Sequence, residues 1–175
     1  MVGPSSESVR TTVEAVIADI RARGDEAVRE YSERFDRFSP ASLRLSHDDI
    51  DAAIARVPEQ TLADIRTVQE NVRRFAELQR ASLRDFEAGV TPGVPLGQKN
   101  VPVEAVGAYV PGGRYPLPAS AHMTVTTAKV AGVRRVAART PAPGEKLPDA
   151  SIAAMHLATT HAHRARSRVG RAKGA

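Results

Sequence analysis

The stretch 106-VGAYVPGGRYPLP-118 joins a short valine-rich run to a Pro-Gly-Gly turn flanked by Tyr109 and Tyr115, in a chain of 175 residues with only 4% aromatics. An apolar run of this length, stopped by proline and glycine, predicts a buried strand over 106–110. Beyond the turn, Ser120 is placed to cap a helix over 121–131 that carries Met123, Val125 and Ala128, with Gly132 just past its end. The next segment, 133-VRRVAART-140, reads as a second strand, 141–149 as a loop, and 151-SIAAMHLA-158 as the opening of another helix. A strand, a crossover helix and a strand in about 34 residues have the length of one parallel βαβ unit. The expected fold class is therefore α/β, ending in an incomplete Rossmann-like βαβα unit.

Upstream the period is helical. Val9, Val13, Val16, Ile17 and Ile20 predict a first helix that ends near Arg23, before Gly24. Ala27, Tyr31 and Phe35 at steps of four predict a second, which gives way at Ser39-Pro40. A brief extended piece at 43-LRLS-46 leads to Ser46 and Asp49, spaced as a capping box for a third helix with Ile50, Ile54 and Val57. The longest helix spans about 59–83, with Leu62, Ile65, Val68, Val72, Phe75 and Leu78 recurring at three and four. Under four heptads without paired flanking charges, it reads as a helix packed on its own domain rather than a coiled coil. Three prolines and three glycines in 89-GVTPGVPLGQKNVPVE-104 exclude helix there and predict short extended pieces joined by turns. The expected organisation is a helical part over 1–84, an extended linker over 85–105, the partial Rossmann-like half over 106–158 and a basic disordered tail over 159–175.

The composition, 42% hydrophobic and 26% charged with no cysteine, is that of an ordinary globular protein without disulfides or cysteine-based zinc sites. No run approaches the ~20 apolar residues of a membrane span, and the first residues lack the basic and apolar regions of a signal peptide. A cytoplasmic location is the expectation. The sequence pI near 10.1 suggests a nucleic-acid partner until the charges are located. All 20 acidic residues precede Thr159, so the net charge of +5 belongs to 159-TTHAHRARSRVGRAKGA-175. Nucleic acid is not the expected partner of the body, although an accessory protein that binds it through the basic tail is the alternative reading.

In an open parallel sheet, ligands lie beyond the carboxyl ends of the strands, where helix starts offer free N–H groups. The turn 111-PGG-113 has that position, and glycines there would let a ligand approach the backbone. Local chemistry alone leaves this open: neither GxGxxG nor GxxxxGK[ST] is present, and Pro-Gly-Gly after a strand is most often only a turn.

Five stretches in order resemble the N-terminal part of the histidinol dehydrogenase family: 22-ARGDEAVREYSERFD-36, 92-PGVPLGQ-98, 106-VGAYVPGG-113, 128-AKVAGV-133 and the following strand with Thr140-Pro141. The resemblance runs from about Val9 to Ala158. It implies a cofactor, NAD, bound in an atypical half-domain by Tyr109 with Pro111, Gly112 and Gly113. It also implies oxidation of a small polar primary alcohol to a carboxylate, zinc as a second cofactor, and a homo-oligomer. Arg114, Tyr115 and His122 are more similar to the family's sulfopropanediol dehydrogenase-like branch than to enzymes acting on histidinol.

The family's Glu-His pair and its Gln-x-x-His zinc ligands have no counterpart among these residues, so no catalytic and no metal residue is assigned. His47 and His122 belong to helix starts, His156 to a helix, and His161 and His163 to the tail; an isolated His-x-His lacks a third ligand. The expectation is a truncated fragment, inactive alone. Its tail is then either a basic arm or the product of a lost reading frame, and a second chain supplying the missing half is a third arrangement.

Overall fold

The computed structural model describes residues 6–112, 115–142 and 147–159. Contacts divide the described residues into one compact unit up to Leu45, to which Ala142 also belongs, and a second over 46–141 and 147–159. The helices over 47–82 thus group with the strands.

In the first unit, α1 (Ser6–Arg23) stops at Gly24, whose φ of 62° belongs to the left-handed region that glycine tolerates. Its successor α2 (Asp25–Asp36) ends earlier than Ser39-Pro40, because Arg37 turns left-handed at φ 54° and its N–H closes on the Glu33 carbonyl at 3.1 Å. Arg23 ties the two helices, donating to Asp19 and Glu30 at 2.7 Å each. Tyr31 and Phe35 stack at 5.9 Å on one face of α2. Of the expected extended piece over 43–46, Leu43 and Arg44 form a bend while Ser46 is extended; Ser42 Oγ folds the segment by accepting from the Arg44 N–H at 3.2 Å and donating to its carbonyl at 2.7 Å.

The second unit opens with α3 (His47–Ala55), whose capping box is formed as the spacing predicts. Ser46 Oγ accepts from the Asp49 N–H, and the Asp49 carboxylate accepts from the Ser46 N–H. The Ser46 hydroxyl, and after it that second bond, hold the Asp49 carboxyl below the usual carboxylate range. Then α4 (Glu59–Ser82) buries Ile65, Gln69, Arg73 and Ala76, a stripe at steps of four, four and three. Two antiparallel strands, β1 (Phe86–Thr91) and β2 (Val94–Gln98), follow around Pro92-Gly93. Gly93 has φ 83°, so proline then left-handed glycine is the chemistry a tight turn requires.

The parallel unit is present. β3 (Ala105–Tyr109) pairs in register with β4 (Arg135–Arg139), Ala105 opposite Arg135 and Tyr109 opposite Arg139. The crossover is one continuous helical run, α5 (Pro118–Ala121), a π-helical turn (His122–Thr126) and α6 (Thr127–Val130). It starts two residues before the expected cap at Ser120. Pro118 fits a first helical position, where no N–H is needed, and the Ser120 N–H bonds back to the Leu117 carbonyl at 3.0 Å. Gly132, at φ 95°, follows its end as expected. A final helix, α7, covers residues 149–159. The core gathers Val57, Ile65, Val110, Ala121, Ala153 and Ala154, and beside it Ala108, Val125 and Ala158 pack with Val136. Strand, crossover, α4 and α7 therefore share one interior, which fixes where the strands' carboxyl ends emerge.

Candidate functional site

β3 and β4 end side by side. Beyond the last registered pair, the Val110 N–H still donates to the Arg139 carbonyl at 2.8 Å, and Val110 is fully buried. This anchors the chain just as it leaves the sheet. Tyr109, one residue earlier, points away from that interior and is 55% exposed. The Arg139 guanidinium lies 6.0 Å from its ring centroid, at the outer limit of a cation–π contact.

Pro111 is half-buried and Gly112 is buried. A Cβ at Gly112 would meet Thr140 Oγ1 at 2.9 Å and Pro141 Cγ at 3.4 Å, so the glycine is required by the close approach of the two strand exits. Thr140 Oγ1 is itself buried without a hydrogen-bond partner. So is the Oγ of Ser151, in the first turn of α7, while the backbone N–H groups of Ser151 and Ile152 bond to the Pro148 carbonyl. A buried hydroxyl left unpaired costs free energy, and such groups ask for an explanation.

The structure thus brings Tyr109, Pro111 and Gly112 to one edge with Thr140. Gly113, with Arg114, lies outside the described residues. Tyr115 is 72% exposed and makes no ring contact among the described residues.

His122 opens the π-helical turn and is buried. Its Nδ1 lies 3.2 Å from Gln69 Nε2, which also donates to the Ala154 carbonyl at 2.8 Å. That carbonyl fixes the amide orientation, so Gln69 faces Nδ1 with an N–H and the imidazole accepts there, carrying its proton on Nε2. Burial lowers the His122 pKa, in keeping with a neutral ring. Sequence reasoning missed Gln69, although an amide on the buried stripe of a helix signals a polar partner across the core. It missed the π-helical turn too, which has no local sequence mark.

Zinc finds no fit here. Among the described residues, no group of three or more His, Asp or Glu side chains could hold a metal ion. No described helix is long and apolar enough to cross a membrane.

Comparison with known proteins gives the context of this edge. The histidinol dehydrogenase family pattern matches residues 3–165, running past Ala158, where the resemblance was expected to end. A histidinol dehydrogenase homolog of Shouchella clausii is 50% identical over 154 residues, covering 88% of this chain and 36% of the relative. The sulfopropanediol 3-dehydrogenase of Ruegeria pomeroyi is 51% identical over 153 residues, covering 87% and 35%. The crystal structure of histidinol dehydrogenase from Elizabethkingia anophelis superposes with a TM-score of 0.78 at 27% identity, covering 90% of this chain and 36% of that one. The chain spans about a third of the length of these relatives and corresponds to their N-terminal part. With a match that covers nearly all its residues, the chain belongs to the histidinol dehydrogenase family.

Proposed function

We propose that this chain forms one wall of the NAD site of a dehydrogenase that oxidises a small polar alcohol, of the histidinol or sulfopropanediol type. The observation that carries the reading is the edge itself: a solvent-facing Tyr109 beside a buried Gly112 that has no room for a Cβ, over an unpaired Thr140 hydroxyl. Tyr109, Pro111, Gly112 and Gly113 would hold the dinucleotide. The tyrosine offers a flat ring and a hydroxyl, and the glycines offer backbone N–H groups without side-chain obstruction. Bound NAD would supply the hydride acceptor for the alcohol's oxidation. This chain's own part is to seat and orient that acceptor; its buried, neutral His122 stabilises the crossover beneath the turn through Gln69. The zinc and the proton-transferring groups of the reaction would come from family sequence beyond the residues described.

The identity to the Ruegeria pomeroyi enzyme favours the sulfopropanediol type, since Arg114 and Tyr115 adjoin the same turn. The test is a chimera in which this chain replaces the matched residues of that enzyme. It is expected to reduce NAD with sulfopropanediol, and Tyr109→Ala in the chimera is expected to raise KM for NAD by about tenfold, the loss of roughly 1.4 kcal/mol of binding. A soluble, folded chimera that neither binds NAD nor turns over the alcohol would refute the reading.

A further inference from the structure

The middle of α4 carries a feature that the NAD reading does not use. Arg73 is only 8% exposed, its Nη2 is fully buried, and it makes no hydrogen bond or ion pair among the described residues. It lines a cleft of about 480 Å³ with Arg66, Gln69, Glu70, Asn71 and Arg74. Glu70 is the one carboxylate among the described residues that line the cleft, and Arg74 Nε already holds it at 2.9 Å. Arg66 and Arg73 lie seven residues apart, on the same face of the helix, with no counter-charge left between them. Gln69 adds a second unmet group: its Nε2 is committed to Ala154 and His122, and its Oε1 is buried and unpaired.

A guanidinium removed from water without a partner destabilises the fold that holds it, whereas a planar donor fork matched to an oxyanion makes strong paired bonds. We propose that this cleft is an oxyanion-binding site, in which Arg73 and Arg66 take the anionic oxygens. Inorganic phosphate has this feature, as does any small carboxylic acid. The same chemistry is available from a carboxylate side chain on a second copy of this chain.

Thermal melting of the full chain separates these sources. Inorganic phosphate near saturation, compared with sodium chloride at equal ionic strength, is expected to raise the wild-type midpoint by roughly 5–10 °C. Arg66→Gln should show a smaller rise. Arg73→Met, which removes the buried charge, should melt above the wild type without phosphate and should not respond to it. A midpoint that climbs with chain concentration instead of phosphate, and loses that dependence in Arg73→Met, assigns the oxyanion to a second copy. Should Arg73→Met not fold, Arg73→Lys keeps the charge without the fork and is expected to weaken phosphate binding at least tenfold. An equal phosphate response in wild type and Arg73 variants, meaning an adventitious ion only, overturns the proposal. So does a wild-type midpoint that responds to neither phosphate nor chain concentration.

Discussion

The described residues hold two sheets of two strands each, and they are built on opposite principles. In the β1–β2 hairpin every residue is exposed, Phe86, Val90, Val94 and Leu96 included. Its order rests on the ladder between neighbouring strands and on a Pro-Gly turn two residues long. The β3–β4 pair needs a crossover, and that crossover brings cover: Val110 and Ala108 are buried against Ala121, Val125 and α7. Hydrogen bonding alone sets strand geometry, but burial decides which strands carry stability and hold a site edge in place.

The largest expected effects break this contrast most openly. Val110→Asp places an unpaired carboxylate in the core and should abolish the cooperative melt, a loss above about 4 kcal/mol. Val90→Asp, on the exposed hairpin, should change stability by no more than about 0.5 kcal/mol. Denaturant titration of both variants checks the pair, and similar losses would remove the distinction.

Glycines sharpen it next. Gly112→Ala forces its Cβ against Thr140 Oγ1 and is expected to cost about 1–3 kcal/mol, whereas Gly107→Ala, with nothing near its Cβ, should be neutral or stabilising by up to about 1 kcal/mol. Adding Thr140→Ala to Gly112→Ala should recover most of the loss, and the double-mutant cycle measures that coupling.

The core of the covered sheet should also sense pH. His122 has a folded pKa lowered by burial, so the unfolded chain takes up its proton first as the medium is acidified. Its contribution is fully present above the unfolded value near 6.5 and is lost as pH falls from there toward the lowered folded value. Asp49 and Asp85 are also shifted downward, but their losses begin only near the ordinary carboxylate range, well below this window. Melting between about pH 7.5 and 5.5 should therefore fall in the wild type and stay flatter in His122→Gln. The smallest effect is expected at the exposed Arg56–Asp149 pair, 2.7 Å apart, where Arg56→Ala should leave a denaturant melt nearly unchanged.

Much of this was legible in the sequence because periodicity reports burial. The capping box at Ser46, the stop at Gly24, the long helix over Leu62 to Leu78 and the βαβ order all follow from local chemistry and spacing. What was not legible depends on contacts made elsewhere. Arg37 ends α2 through a left-handed turn that a non-glycine residue seldom marks, and Pro118, not Ser120, opens the crossover. The grouping of α3 and α4 with the strands arises from Ile65 and Val57 meeting Val110 and Ala153, pairs far apart in sequence. At the site, Tyr109, Pro111 and Gly112 were readable as a turn at a strand end. Thr140 became meaningful only when parallel register set it beside Gly112, and Gln69 only when α4 met His122.

The central claim, that the exit of β3 is a dinucleotide wall, is tested most directly by titrating the purified full chain with NADH and following its fluorescence. Saturable binding is predicted, weakened by about tenfold in Tyr109→Ala and unchanged in Tyr115→Ala, since only Tyr109 ends the strand beside Gly112. No saturable binding by the wild type, or equal weakening by both substitutions, would contradict it.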